Sequence, residues 1–293
     1  MNIFSSYHPA ALLIYFLSVT VIAMFTAHPV LLAEALLGGV CLLAVLERRR
    51  QFFSNLLFYI PLFLMIAVTN PLFSHNGVTP LFFLNGNPVT LEAILYGADI
   101  AAMLVAVIYW CKCYSIIMTS DKFLYLFGKA IPKLSLILSM ALRFIPLFKQ
   151  QIKKVSAAQK AMGLYTSESM VDKMRGAIRV FSVMVTWSLE NAVETGDAMK
   201  ARGYGLKGRT HFSLFRFTRR DAMLLGGTLL LAAVVLTGTA LGFVQYGFYP
   251  RLSGVGRTPL DLSIYLAFGV LCVLPFYIEI KENIKWNYFV SKI

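Results

Sequence analysis

The sequence predicts an all-α polytopic membrane protein with about six transmembrane helices and long amphipathic helices on the cytoplasmic side. Hydrophobic residues make up 58% of the 293 residues and charged residues only 14%, well below the roughly one quarter that is usual in soluble domains. Several apolar runs also reach the length of about 20 residues that crosses a bilayer as a helix. The run 222–244 is the clearest of them, since it contains no charged residue.

The first 46 residues predict two short spans. Residues 9–46 are apolar apart from Glu34 and are too long for a single crossing. We expect a break near Pro29, because proline ends the helix that precedes it; one span followed by a re-entrant segment is the alternative. A carboxyl group inside a membrane has either a functional role or a partner on a neighbouring helix, and both interpretations apply to Glu34.

The remaining spans are separated by recognisable turns. They are predicted over 52–68, 98–118, 222–244 and 262–278. The loop 70–90 between the third and fourth spans contains Asn-Gly and Asn-Pro pairs, which are typical of turns. All four cysteines lie in apolar runs, so we expect buried free thiols at each. They are Cys41, Cys111, Cys113 and Cys272.

The positions of the basic residues predict which side of the membrane each end of these spans faces. Three consecutive arginines at 48–50 follow the first two spans, and the positive-inside rule places them in the cytoplasm. Both termini are then cytoplasmic. This layout puts 25 of the 27 Lys and Arg residues on the cytoplasmic side, with Arg251 and Arg257 as the exceptions.

The chain accordingly divides into three predicted parts. Residues 1–118 form an N-terminal transmembrane bundle, 119–220 a cytoplasmic helical region, and 221–293 two spans with a cytoplasmic tail. Nineteen basic and six acidic residues lie within 112–220, so this segment carries the whole formal charge of +13. Anionic membrane lipids attract such a segment by about 1 kcal/mol per basic residue. Its length and helical pattern predict a soluble partner as well.

The cytoplasmic region has the periodicity of amphipathic helices. In 134–148 the polar residues fall on one stripe with apolar residues around the remainder. These polar residues are Ser135, Ser139 and Arg143. We expect Pro146 to kink or end this helix.

Two longer helices are predicted over 149–162 and 171–201, and each has a face of one charge sign. The basic stripe is Lys149, Lys153 and Lys160, and the acidic stripe is Glu190, Glu194 and Asp197. Complementary stripes predict that the two helices pair or cross. The alternative is that each stripe is a solvated face.

Both of these helices end in the same way. One closes on Ala161-Met162-Gly163 and the other on Ala201-Arg202-Gly203. Glycine just past the last helical residue is the usual left-handed C-cap. Two similarly ended helices suit a partner with two equivalent sites. The planar fork of Arg202 at one tip can hold a carboxylate or bare backbone carbonyls.

At this point the sequence resembles the transmembrane T component (EcfT family) of energy-coupling factor transporters, in which two cytoplasmic coupling helices each end in Ala-Arg-Gly. Residues 201–203 match fully, whereas the first site has Met162 in place of arginine. The likeness extends over about 70–222. It includes Asn70-Pro71-Leu72, Thr90-Leu91-Glu92, Tyr96-Gly97 and Arg143-Phe144-Ile145-Pro146.

The resemblance implies a scaffold in the bacterial plasma membrane. Two ABC-type ATPase subunits, identical or different, would each receive one helix tip, and a small membrane S component would bind the substrate. That substrate would be a vitamin, a metal ion or another micronutrient, and the scaffold itself would be neither an enzyme nor a cofactor-binding protein. Met162 implies unequal tips, unless Lys160 supplies a point charge without the arginine fork.

Other classes of function are disfavoured. Residues 203–210 approximate a P-loop but follow a helix rather than a strand. Isolated His8 and His28 lack the spacing of metal ligands, no catalytic constellation stands out, and we expect no nucleic-acid partner. The main alternative is a secondary transporter or channel, which is opposed by the few polar residues in the spans, the absence of obvious inverted repeats and the long cytoplasmic segment.

Overall fold

A computed structural model describes residues 4–74, 76–84, 87–163, 170–206 and 215–290. These residues form nine α-helices, a short 3-10 turn at Phe4–Ser6 and a two-stranded antiparallel hairpin. The helices are α1 (Pro9–Phe25), α2 (Pro29–Leu46), α3 (Arg49–Phe73), α4 (Leu91–Ile117), α5 (Ser120–Ala130), α6 (Pro132–Ala161), α7 (Met170–Ala201), α8 (Arg219–Ala240) and α9 (Pro259–Val290). The strands are β1 (Pro80–Leu84) and β2 (Asn87–Thr90).

The chain divides into two compact units. Residues 1–123 and 215–293 form one, here called the membrane unit, and residues 124–214 form the other, called the amphipathic unit. The membrane unit joins the beginning and the end of the chain. The three-part functional division made from the sequence stays a prediction.

The transmembrane prediction is confirmed. Five helices are long and apolar enough to cross a membrane, namely α2, α3, α4, α8 and α9. The sixth, α1, has 17 residues, at the lower end of the range that spans a bilayer. As predicted, residues 9–46 form two helices, and Pro29 is the first residue of the second, where proline's fixed φ is favourable.

The core of the membrane unit is built by α1, α2, α4, α8 and α9. Trp110 is fully buried and its indole nitrogen donates to the Ala35 carbonyl at 2.8 Å. The Tyr15 hydroxyl donates to the Leu271 carbonyl at 2.7 Å. Each aromatic ring therefore fills the core while its polar atom joins two helices, so no buried donor is left unpaired at these positions.

The prediction of buried thiols is half correct. Cys113 and Cys272 are buried, whereas Cys41 and Cys111 are exposed on the surface of the bundle, and all four are free. Apolar composition does not distinguish a helix face that packs on other helices from one that faces lipid, because both are hydrophobic.

Of the two outcomes predicted for Pro146, a kink or a helix end, the helix end is wrong, and so is a separate helix over 149–162. Helix α6 runs for 30 residues from Pro132 to Ala161 with Pro146 inside it. Proline removes the one hydrogen bond that its own nitrogen would donate, and α6 continues for several turns on both sides. Helices α3 and α9 also contain internal prolines, at Pro61, Pro71 and Pro275.

Candidate functional site at two helix tips

The tip of α7 is a complete C-terminal capping motif. Gly203 has φ +80°, and its N–H donates to the Lys200 carbonyl at 2.9 Å. The Tyr204 N–H donates to the Met199 carbonyl at 3.0 Å. These two bonds define the Schellman motif, which satisfies the last carbonyls of a helix. Arg202 is the residue just before the left-handed glycine, and it is exposed.

The tip of α6 has the same local geometry. Met162 is the C-cap residue, and its N–H donates to the Ala158 carbonyl at 3.1 Å. Gly163 has φ +72°, and its N–H donates to the Lys160 carbonyl at 3.0 Å. Met162 therefore occupies at the end of α6 the position that Arg202 occupies at the end of α7. Its side chain is 67% exposed.

The two tips differ in charge. Ala161 and Ala201 are the last helical residues of α6 and α7, and Lys160 is exposed on the last turn of α6. Among the residues that the structure describes, Arg202 forms no ion pair within 4.0 Å. Its guanidinium group is thus available to a carboxylate of another molecule, with which it can form two parallel hydrogen bonds.

Helices α6 and α7 contact each other near their middles. The rings of Phe148 and Trp187 lie 5.3 Å apart, edge to face at 84°. A groove of about 560 Å³ opens beside this contact. It is lined by Phe148, Ile152, Ser156, Ala177, Val180, Phe181, Met184, Val185 and Ser188. Each helix continues for about 20 Å beyond the contact to its tip, at 1.5 Å per residue.

The predicted pairing of charged stripes is not formed in the structure. Lys149, Lys153, Glu190 and Glu194 are exposed. Asp197 pairs at 3.6 Å with Lys200 of its own helix, and the described residues contain no ion pair between α6 and α7. The helices meet through apolar and aromatic side chains instead, so the charged stripes lie outside their contact.

A large apolar surface accompanies these charged stripes. Both α6 and α7 expose many hydrophobic side chains, each at least 43% exposed. They include Leu134, Ile137, Ile145, Ile152, Ile178, Phe181, Leu189 and Val193. Exposed apolar surface of this extent marks contact with a membrane or with another protein.

The motifs that carry the family resemblance in the membrane unit meet at one end of α3 and α4. The Asn70 side-chain amide donates to the Ala93 carbonyl at 3.0 Å. A Cβ on Gly97 would lie 2.5 Å from the Ala67 carbonyl oxygen, so only glycine allows α3 and α4 to approach this closely. These motif residues therefore hold two helices together and lie outside the helix tips.

Sequence reasoning missed Asp221, which is 3% exposed. Its carboxylate accepts hydrogen bonds from the Thr218 backbone and hydroxyl at 2.8 and 2.6 Å, and from the His8 N–H at 2.7 Å. It thereby caps α8 and fixes the start of α1. The Thr-x-x-Asp spacing was a visible sign of a capped helix start, but nothing local indicates the bond to His8.

Lys122 is a second buried charged residue that the sequence did not single out. It is 7% exposed, and its Nζ donates to the Ile117 carbonyl at 3.0 Å and to the Ser5 carbonyl. Burial lowers its pKa below the ordinary value for lysine. A cation that binds the last carbonyls of α4 also complements the negative end of the helix dipole.

Two of the residues weighed for intramembrane or metal roles, His28 and Glu34, belong to the membrane unit. His28 Nε2 is 3.1 Å from the Tyr265 hydroxyl, and the buried Oε2 of Glu34 has no hydrogen-bond partner among the described residues. Within the same residues, no group of three or more His, Cys, Asp or Glu side chains is placed to hold a metal ion.

Comparison with known proteins assigns the family. A family model described as "Cobalt transport protein" (CbiQ) matches residues 2–212, which include both helix tips. The chain belongs to this family. Curated relatives are named "Energy-coupling factor transporter transmembrane protein EcfT". The predicted family is therefore confirmed, and this family member is a transmembrane component of energy-coupling factor transporters.

The matched relatives differ in how much of their length is covered. The Listeria innocua protein is 29% identical over 221 residues, which are 71% of this chain and 82% of the relative. The Lacticaseibacillus paracasei protein is 34% identical over 108 residues, 36% of this chain and 41% of the relative. The Bacillus selenitireducens protein is 35% identical over 112 residues, 38% of this chain and 42% of the relative. Two of these three matches thus span less than half of the relative.

Proposed function

We propose that this family member is the coupling scaffold of its transporter. The tips of α6 and α7 dock onto two cytoplasmic ABC-type ATPase subunits, which hydrolyse ATP, while the chain itself is not catalytic. The observation that carries this proposal is the equivalence of the tips. Met162 and Arg202 occupy the same capping position, at about the same distance of roughly 20 Å from the α6–α7 contact.

The α7 tip has the chemistry of a specific protein contact. Arg202 extends from the end of a helix whose last carbonyls are already satisfied by the Gly203 and Tyr204 N–H groups. Its planar fork matches a carboxylate in geometry. An acidic group in a groove of the ATPase therefore pairs with Arg202, whereas Met162 supplies only apolar contact at the other tip.

The exposed apolar surface of α6 and α7 suits a second partner. A small membrane S component, which binds a vitamin, a metal ion or another micronutrient, packs there as one amphipathic surface against another. Helices α6 and α7 are 30 and 32 residues long. A displacement at the tip of either helix is therefore transmitted along one continuous helix. Movement of the ATPase pair thereby reaches the S component.

The orientation follows from the charges. The tips and the basic segment lie in the cytoplasm of a bacterial cell, both termini lie on the same side of the plasma membrane, and anionic lipids attract part of the basic charge. The structure provides about 20 Å between the α6–α7 contact and each tip, which allows the tips to reach soluble subunits.

Co-purification tests the proposal directly. The full chain, expressed in its native host with an affinity tag and extracted in mild detergent, is expected to retain two ATPase subunits and one small membrane protein. Reconstituted complex should hydrolyse ATP and take up substrate. A chain that purifies without ATPases and transports substrate alone in vesicles would refute the coupling scaffold and support a carrier.

A further inference from the structure

The hairpin between α3 and α4 exposes a run of large apolar side chains. Leu81, Phe82 and Phe83 of β1 are 56%, 51% and 70% exposed. The pairing of β1 with β2 is irregular between Pro80 and Phe82. Beyond this irregularity successive residues point to opposite faces, so Phe82 and Phe83 lie on opposite faces. Phe82 and Phe83 are therefore exposed on opposite faces of the ribbon, whereas Val89 of β2 is only 4% exposed.

The segment that contains the hairpin carries no charged residue, and Glu92 follows directly at its base. Residues 51–91 include no Asp, Glu, Lys or Arg. Another loop at this end of the bundle, between α8 and α9, carries Arg251 and Arg257. The two loops are at the same end because Tyr96 of α4 contacts Phe248 and Tyr249, with ring centroids 5.2 and 5.4 Å apart. The contrast in charge indicates different surroundings for two neighbouring loops.

The hairpin is held in place by hydrogen bonds to its base. The Glu92 carboxylate, on the first turn of α4, accepts from the Thr79 hydroxyl at 2.7 Å. The Thr90 hydroxyl donates to the Asn76 carbonyl at 2.6 Å. The apolar side chains therefore have a fixed position relative to α3, whose last residue, Phe73, is 83% exposed. The hairpin continues an exposed apolar surface that begins on a membrane-spanning helix.

We propose that β1 of this hairpin lies in the interfacial layer of the bilayer, with lipid contacting Phe82 on one face and Phe83 on the other. A protein partner packed on a two-stranded ribbon covers one face, whereas lipid surrounds both. A hairpin also leaves backbone groups unpaired along its edges, and these cannot lie in the hydrocarbon core. The apolar side chains therefore enter the boundary between headgroups and acyl chains, about 5–10 Å deep, as those of interfacial helices do. This inference does not depend on the proposed coupling function.

Tryptophan quenching by brominated lipids tests this placement. Phe82→Trp and Phe83→Trp, made separately in the full chain and reconstituted in nanodiscs, report on opposite faces. The native residues Trp110, Trp187 and Trp286 give the same background in every variant, so the difference from wild type isolates the introduced ring. Val255→Trp, in the loop that carries two arginines, is the control for water, and Val270→Trp, 54% exposed on α9, is the control for the membrane core.

Both hairpin variants are expected to lose at least about twice as much introduced emission to brominated lipid as Val255→Trp, with bromine near the headgroup more effective than bromine deep in the chain. Val270→Trp should show the reverse order of bromine depth. Quenching by aqueous acrylamide at the level of Val255→Trp would place the hairpin in water and overturn the proposal. If brominated lipid quenched only one of the two variants, a protein partner would cover the other face and the proposal would be wrong. The same conclusion would follow if neither brominated lipid nor acrylamide quenched either variant.

Discussion

Replacing Arg202 by alanine is expected to weaken ATPase binding far more than replacing Met162 by alanine. Loss of one partner of a buried hydrogen-bonded charge pair costs about 2–5 kcal/mol. Met162 is 67% exposed, so a groove that covers it fully gains at most about 1–2 kcal/mol of apolar burial. The difference of about 2 kcal/mol corresponds to roughly 30-fold in affinity.

The measurement is a titration of the purified ATPase pair against the full chain in nanodiscs, followed by ATP hydrolysis and substrate uptake. Lys200→Ala is the matched control, because it removes the same charge from the last turn of α7. Its side chain is 79% exposed and forms a surface pair with Asp197 at 3.6 Å, worth about 0–1 kcal/mol. Equal effects of Arg202→Ala and Met162→Ala would refute the unequal tips, and equal effects of Arg202→Ala and Lys200→Ala would refute a specific contact.

Three further predictions concern the other tip and two of the contacts within the membrane unit. Met162→Arg restores the family motif at the α6 tip and is expected to raise ATPase affinity by about tenfold or more; unchanged affinity would show that this tip meets no acidic group. Asp221→Ala leaves buried N–H donors unpaired and should destabilise the membrane unit by about 2–3 kcal/mol, seen as a lower unfolding temperature in detergent. Gly97→Ala places a Cβ 2.5 Å from the Ala67 carbonyl oxygen and should destabilise it by about 1–3 kcal/mol, whereas Gly226→Ala, with nothing within 4 Å, should be tolerated.

Local rules predicted the spans and the tips. Hydropathy identified the membrane-crossing helices because a span is a property of one continuous segment. Pro29 was correctly placed at a helix boundary, since a proline that starts a helix loses no internal bond. Glycine at 163 and 203 marked both tips, and both have positive φ. Each of these features is set within one continuous segment of the chain.

Features that depend on distant contacts could not be predicted in the same way. The stripes on α6 and α7 were identified as faces, but periodicity does not show which face packs, and Phe148 and Trp187 form the contact instead. Pro146 lies inside a helix whose flanking turns continue through it. The bond between Asp221 and the His8 N–H joins residues 213 positions apart, a separation over which the sequence pattern contains no signal.

In the coupling movement proposed above, the position of the Phe148–Trp187 contact relates the displacement of a helix tip to that of the opposite end of the same helix. It lies midway along both helices, so each helix is a lever with two arms of nearly equal length, roughly 20–25 Å. Rotation about this fulcrum neither amplifies nor reduces displacement: a tip that moves by a given distance moves the opposite end of the same helix by about as much. If the contact lay nearer the tips, the opposite ends of the helices would move farther than the tips, with correspondingly less force at those ends.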